Sequence, residues 1–399
     1  MRWEAKVSGM HKVAKLKWVV LLLVSPLVLS SAGCSTVTGW FSSSKPAAKP
    51  AALIDFKPAV RLTRGWEASV GKSGPYLFSP ASDDQAVYAA GMEGRIAKLD
   101  LATGRELWRI DAGKPLSAGV GVGEGLVLVG THKGELLAFH SLDGKPAWQA
   151  KLSGEILVPP VAGYGAVVAR SNDGRVAMFE ASSGKLRWDV GRTLPALTLR
   201  EQSHLQITEN AVYAGHAGGR LSALAINNGA PLWETNVALP KGTTELERIA
   251  DVVGPLAIND KVVCGASFQG RVACFNLAKG NAAWARDVSA LRGVGMDERL
   301  VYVADEHGAV MAYDKLRGTN PWKQEKLRDR GLSSPVPVAD RYVAVGDYQG
   351  QVHLLNADDG AFVARAATDG SAIQSVMISL KSGLLVQTSN GGIQALKIE

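Results

Sequence analysis

Residues 94–108 read GRIAKLDLATGRELW, and the same frame returns as residues 134–148 (GELLAFHSLDGKPAW) and 174–188 (GRVAMFEASSGKLRW). It recurs at 219–233, 270–284 and 308–322. Every copy opens on Gly, carries a second Gly ten residues on (Gly104, Gly144, Gly184, Gly229, Gly280, Gly318) and closes on Trp. Gly350 and Gly360 continue it with Ala364 in the tryptophan's place, and an eighth copy opens at Gly391. The opening glycines lie 40, 40, 45, 51, 38, 42 and 41 residues apart. A period near forty that holds short alternating strands is the signature of a propeller, at four strands per blade. The two glycines suit hairpin turns that need positive φ, and the Trp offers a flat face to fill the gap between blades.

The eighth copy lacks its Trp, but Trp66 in RLTRGWEA (residues 61–68) stands 42 residues before Trp108, one period early. The N-terminal strand is therefore expected to complete the last blade, whose other strands come from about residues 372–399. That joins the chain ends and removes the open sheet edge. The expectation is an all-β fold: an eight-bladed β-propeller of four-stranded antiparallel blades over residues 60–399, with Trp66, Trp108, Trp148, Trp188, Trp233, Trp284 and Trp322 as structural residues. Seven blades with a stray hairpin, or an open solenoid, are the alternatives.

Ahead of the ring, Arg2, Lys6, Lys12, Lys15 and Lys17 precede an apolar run of 12 residues, WVVLLLVSPLVL (18–29). A run that short suits a signal-peptide core rather than a stable membrane span, which needs roughly 20 apolar residues. Met10 is a second possible start. The following Ala32-Gly33-Cys34 resembles a bacterial lipoprotein signal, with Ser31 where that box usually has Leu. The resemblance implies a signal peptide over 1–33 and acylation of Cys34; Ser35 lacks the inner-membrane retention Asp, which implies an outer-membrane anchor. An ordinary signal peptide with a free Cys34 thiol is the alternative. Residues 34–59 read as the acylated Cys and a flexible Ser, Ala, Lys and Pro-rich tether.

The 399 residues are 46% hydrophobic, which excludes a disordered chain, and their 3 cysteines exclude a disulfide-stapled scaffold. The net charge of +7 falls to +3 once the first 33 residues are set aside, which argues against a nucleic-acid partner. Motifs for catalysis are missing: HExxH, GxxxxGK[ST] and GxSxG do not occur. The glycines at 119, 121, 123 and 125 read as a turn between strands. Asp100, Glu180, Asn276, Asp314 and Asn356 share one repeat position before a turn and read as local caps rather than a metal ring. Cys264 and Cys274 fall opposite each other on one hairpin and read as a buried thiol pair, with a cross-strand disulfide as the alternative. No catalytic residue, metal or cofactor is expected.

The repeat also resembles the tryptophan-docked blades of quinoprotein dehydrogenases, which implies a rival reading as a PQQ-dependent periplasmic dehydrogenase. Those enzymes often carry adjacent cysteines over the cofactor, and this chain has none. The two longest repeat spacings, 45 and 51, instead place extra length in neighbouring loops after Trp188 and Trp233. One carries LPALTLR (194–200) and the other TELERIADVVGP (244–255). Apolar residues beside an Arg in a protruding loop suit a protein-binding surface; folding back onto the blade is the alternative. Lipobox, tether, Trp-marked blades and these two stretches together resemble the BamB family, the lipoprotein propellers of the outer-membrane β-barrel assembly (BAM) complex. The resemblance implies a non-enzymatic scaffold that binds the POTRA repeats of BamA and assists barrel insertion. It implies partner contacts at Leu197, Leu199, Arg200 and Asp251, with Glu247 and Arg248 as secondary candidates. Val253 replaces a family aspartate. Direct contact with nascent outer-membrane proteins, along an exposed blade edge, is left open.

Overall fold

Each fifteen-residue frame folds as the third strand, the glycine turn and the outer strand of a four-stranded antiparallel sheet. The computed structural model describes residues 49–399; the signal segment 1–33, Cys34 and the tether as far as residue 48 lie outside the described residues. In the first blade the strands are Ala81–Ser82, Ala86–Ala90, Arg95–Asp100 and Glu106–Asp111, running from the ring centre outward. Seven sheets follow this sequential order and the eighth is closed by the chain ends, making an eight-bladed β-propeller. Among the described residues the one helical turn is the 3-10 segment Ala217–Gly219.

Burial explains why the second strands read as continuous apolar runs. Ala86–Ala90, Leu126–Gly130 and Ala211–Gly215 are buried at every residue, because blades cover both of their faces. The outer strands, such as Glu106–Asp111, alternate with solvent instead.

The tryptophans and the second glycines form one device. Each of the seven indole N–H groups donates to a backbone carbonyl of the next blade at 2.8–3.2 Å, from Trp66 to Leu101 through to Trp322 to Ala357. The ring lies on that blade's turn glycine, where a Cβ would come within 2.5–3.3 Å of ring atoms. The same glycines hold φ between 63° and 73°, so both conformation and space exclude a side chain. Trp284, for example, bonds the Lys315 carbonyl and lies on Gly318.

Strand Leu62–Ser69 pairs with Gly392–Ile398 in the eighth blade, with Leu62 opposite Ile398, so the ring closes by hydrogen bonds between the two ends of the chain. This arrangement also accounts for Ala364. The turn on which a seventh-blade Trp would lie does not exist, since the chain ends stand in its place. Ala59 and Val60 instead donate to the Val363 carbonyl, and Val60 and Leu62 pack into the same core cluster as Val363 and Ala364.

Three expectations need correction. First, the part of the tether that is described, from Ala51 onward, is bound to the ring. The Ala51 N–H donates to the Arg328 carbonyl, Arg330 and Arg365 donate to the carbonyls of Ala51 and Ile54, and Phe56 packs beside Phe362 with the Arg365 guanidinium over both rings. Second, Cys264 and Cys274 form a disulfide rather than a thiol pair. They are direct cross-strand partners with Cα atoms 4.1 Å apart, which puts both sulfurs on one face. Third, the glycine run is more than a turn: Gly121–Gly123 is the innermost strand of the second blade, where a side chain at Gly121 would collide with the Pro160 carbonyl.

Candidate functional site

The connections after Trp188 and Trp233 lie side by side, and one buried carboxylate ties them together. Asp251, 3% exposed, accepts from the backbone N–H of Leu199 at 2.7 Å and from that of Gly218 at 2.9 Å. Burial pushes its carboxyl above the usual carboxylate range, and those two N–H bonds pull the other way. Its own backbone is fixed as well, its carbonyl accepting from Phe268 N–H. Asp251 therefore lies buried beneath the loop, with both carboxylate oxygens taken by backbone N–H groups. Val253, the next position of interest, is fully buried in strand Val252–Ile258.

Above this clamp the first loop presents Leu197, 43% exposed, with Leu199 half-buried and Arg200 exposed. Arg200 is partnered within the chain. Its guanidinium donates to Glu155 at 2.9 Å and stands 5.2 Å over the Tyr76 ring. Beside it Glu201 forms an ion pair with Arg292, which burial lowers to about 10. Loops entering blades one, three, four and six thus meet across the mouth of the central channel.

The second loop keeps residues 241–248 exposed, with Leu246 at 67%, before Ile249 and Ala250 turn inward. Its tip is a reciprocal cap: Glu247 accepts from the N–H groups of Thr243 and Thr244, and its own N–H donates to Thr244 Oγ1. Those bonds hold the Glu247 carboxyl down at about 2. Arg248 is exposed on the same turn. The structure therefore brings Leu197, Leu199, Arg200 and Asp251 together and leaves Glu247 and Arg248 on the rim. Sequence reasoning missed Tyr76, Glu155 and Gly218, which lie far along the chain and carry no motif.

The repeated polar position is local, as expected. Asp100 accepts from Thr103 N–H at 2.8 Å, Asn276 from Lys279 N–H at 2.9 Å and Asp314 from Arg317 N–H at 2.7 Å.

A family described as outer membrane protein assembly factor BamB matches residues 92–324 and 306–399. The chain belongs to the BamB family. Its relatives include the outer membrane protein assembly factor BamB of Burkholderia pseudomallei, 40% identical over 358 residues, covering 89% of this chain and 93% of that protein. The BamB of Escherichia coli K12 is 30% identical over 388 residues, covering 94% and 97%. Among solved structures, BamB from Moraxella catarrhalis superposes with a TM-score of 0.78 at 25% identity, covering 84% of this chain and 99% of that one. A quinohemoprotein alcohol dehydrogenase from Comamonas testosteroni also superposes, with a TM-score of 0.67 over 84% of this chain and 76% of that one, at 13% identity. At that identity it shares the fold alone, so the quinoprotein reading gains nothing beyond architecture.

Proposed function

We propose that this chain is a non-enzymatic scaffold of outer-membrane protein assembly. Acylated Cys34 holds it at the periplasmic face of the outer membrane, and the loops after Trp188 and Trp233 dock on the POTRA repeats of BamA. The observation that carries this is the Asp251 clamp, which makes two long loops from separate blades into one pre-ordered surface. Ordering a loop before binding removes an entropic cost from association. Leu197 and Leu199 are the apolar anchors, and Arg200 orients the partner while remaining supported by Glu155 and Tyr76.

The test is capture of purified BamA POTRA repeats by the parent chain and by Leu197→Ala, Leu199→Ala and Arg200→Glu. Each variant is expected to keep the circular dichroism of the parent and to lose at least about tenfold in affinity. If all three bind like the parent, the surface is wrong; if the folded parent itself does not bind, the partner is wrong.

A further inference from the structure

Arg170 is the last residue of the second strand to pair with the third strand in blade three, a position where six other blades have Ala or Gly and blade eight has Gln387. Both long side chains bridge to the next blade, and Arg170 Nη1 donates in addition to the Ser203 carbonyl at 3.0 Å. Gln387 donates to the Ala90 carbonyl at 2.8 Å, and Arg170 donates from Nη1 to the Gly215 carbonyl at 2.7 Å, the matching atom of the next blade. A neutral amide suffices for that bridge, so the positive charge of Arg170 is surplus to it.

The charge also has no ion-pair partner, the Asp251 carboxylate acting on it only from beyond that distance. Arg170 is 4% exposed, its Nε is buried with no hydrogen-bond partner, and among the described residues no carboxylate lies within ion-pair distance of it. Burial lowers it to about 10. Burying an unpaired guanidinium is costly, and the natural partner for its fork is a carboxylate.

Arg170 lies in the wall of a cavity of about 480 Å³ on the loop face, between Leu194 and Leu239. Arg192 and Arg220 line the same cavity, and both are paired with the one acid, Glu234. Asp251 is turned to Leu199 and Gly218. Of the three guanidiniums, two thus share one carboxylate and Arg170 is left with none in ion-pair contact.

We propose that this cavity takes an acidic side chain of a protein partner, its carboxylate meeting Arg170 and its apolar neighbours lying against Leu194 and Leu239. Only the identity of the partner rests on the docking reading above. The cavity adjoins the same loops, so a POTRA repeat brings the carboxylate.

Two measurements on the full chain, solubilised in detergent and labelled with 15N-arginine, test it. In the first, the Nε–Hε resonance of Arg170, assigned by its absence from Arg170→Gln, is followed while N-acetyl-Leu-Glu-Leu-amide, its Gln counterpart or inorganic phosphate is added. A shift with the Glu peptide alone is expected. In the second, affinity for BamA POTRA repeats is expected to fall about thirty-fold in Arg170→Gln, which keeps the Gly215 bridge as Gln387 keeps its own though not the Ser203 bond, and to fall less in the exposed-rim variant Arg220→Gln. An unmoved resonance with undiminished capture overturns the proposal and leaves the docking reading standing. A shift with the Glu peptide in a parent that ignores POTRA repeats keeps the pocket and removes the docking reading. Equal shifts with the Gln peptide or phosphate overturn the carboxylate assignment.

Discussion

Gly280→Ala and Gly113→Ala pose the same backbone problem with different surroundings. Gly280 has φ +70° and Gly113 φ +69°, so an L side chain at either is strained by about 1–2 kcal/mol, offset in part by a stiffer unfolded chain. At Gly113 a Cβ meets nothing within 4 Å, whereas at Gly280 it comes 2.6 Å from the Trp233 ring. Relieving that overlap requires the indole to retreat, at about 1–3 kcal/mol for overpacking, and strains its 2.9 Å bond to the Leu277 carbonyl, at up to about 1–3 kcal/mol more. The expectation is a loss of about 1 kcal/mol for Gly113→Ala and about 3–5 kcal/mol for Gly280→Ala. Urea unfolding followed by far-UV circular dichroism measures both, compared by midpoint where the slopes agree. In a Trp233→Ala background the excess at Gly280 should vanish, leaving the backbone strain alone. Equal losses at the two glycines, or an excess that survives removal of Trp233, would refute the docking account.

Asp251→Ala leaves the Leu199 and Gly218 N–H groups without their acceptor, at about 2–4 kcal/mol of local order; faster hydrogen exchange at those two amides checks it, and Asp251→Asn should fall between. Acidification should also destabilise the ring. His204, His216 and His353 are pushed down by burial, His204 to about 4, so the unfolded chain takes up their protons first as pH drops below about 6.5. Their contribution is present at neutral pH and shrinks toward pH 4, by up to about 1.4 kcal/mol per pH unit for each histidine; urea midpoints across pH 4–7 measure it, and a flat profile contradicts it. Phe56→Ala should speed hydrogen exchange at Ala51 and Ala59 while the amides of strand Leu62–Ser69 stay protected, because the aromatic contact with Phe362 belongs to the segment and not to the blade.

Repetition is what made the architecture readable. Eight glycine-opened frames and seven tryptophans state the blade number, and Trp66 standing one period early states where the ring closes. The absence of a Trp at position 364 was visible too, but its cause was not. It follows from the missing turn in the closing blade, a fact of three-dimensional adjacency. Likewise, composition marked the Ala and Pro-rich segment as a tether, because its bonds to Arg330 and Arg365 come from backbone carbonyls that carry no sequence signature. For the cysteines the facing positions were legible, while the bond depended on register to the residue. At the candidate site the exposed leucines could be named from their loop. The inward turn of Asp251 and the in-chain partners of Arg200 required contacts spanning 52 and 45 residues.

The bound segment has a mechanical meaning as well. A chain held from its N-terminal side transmits any pull first to the bonds of residues 51–60, which spread it over the sixth-to-seventh connection and the outer strand of the seventh blade. Only when those have yielded does load arrive at the Leu62–Ile398 end of the closing strand pair. The segment thus acts as a strain relief for the seam, the one joint whose failure would open the ring.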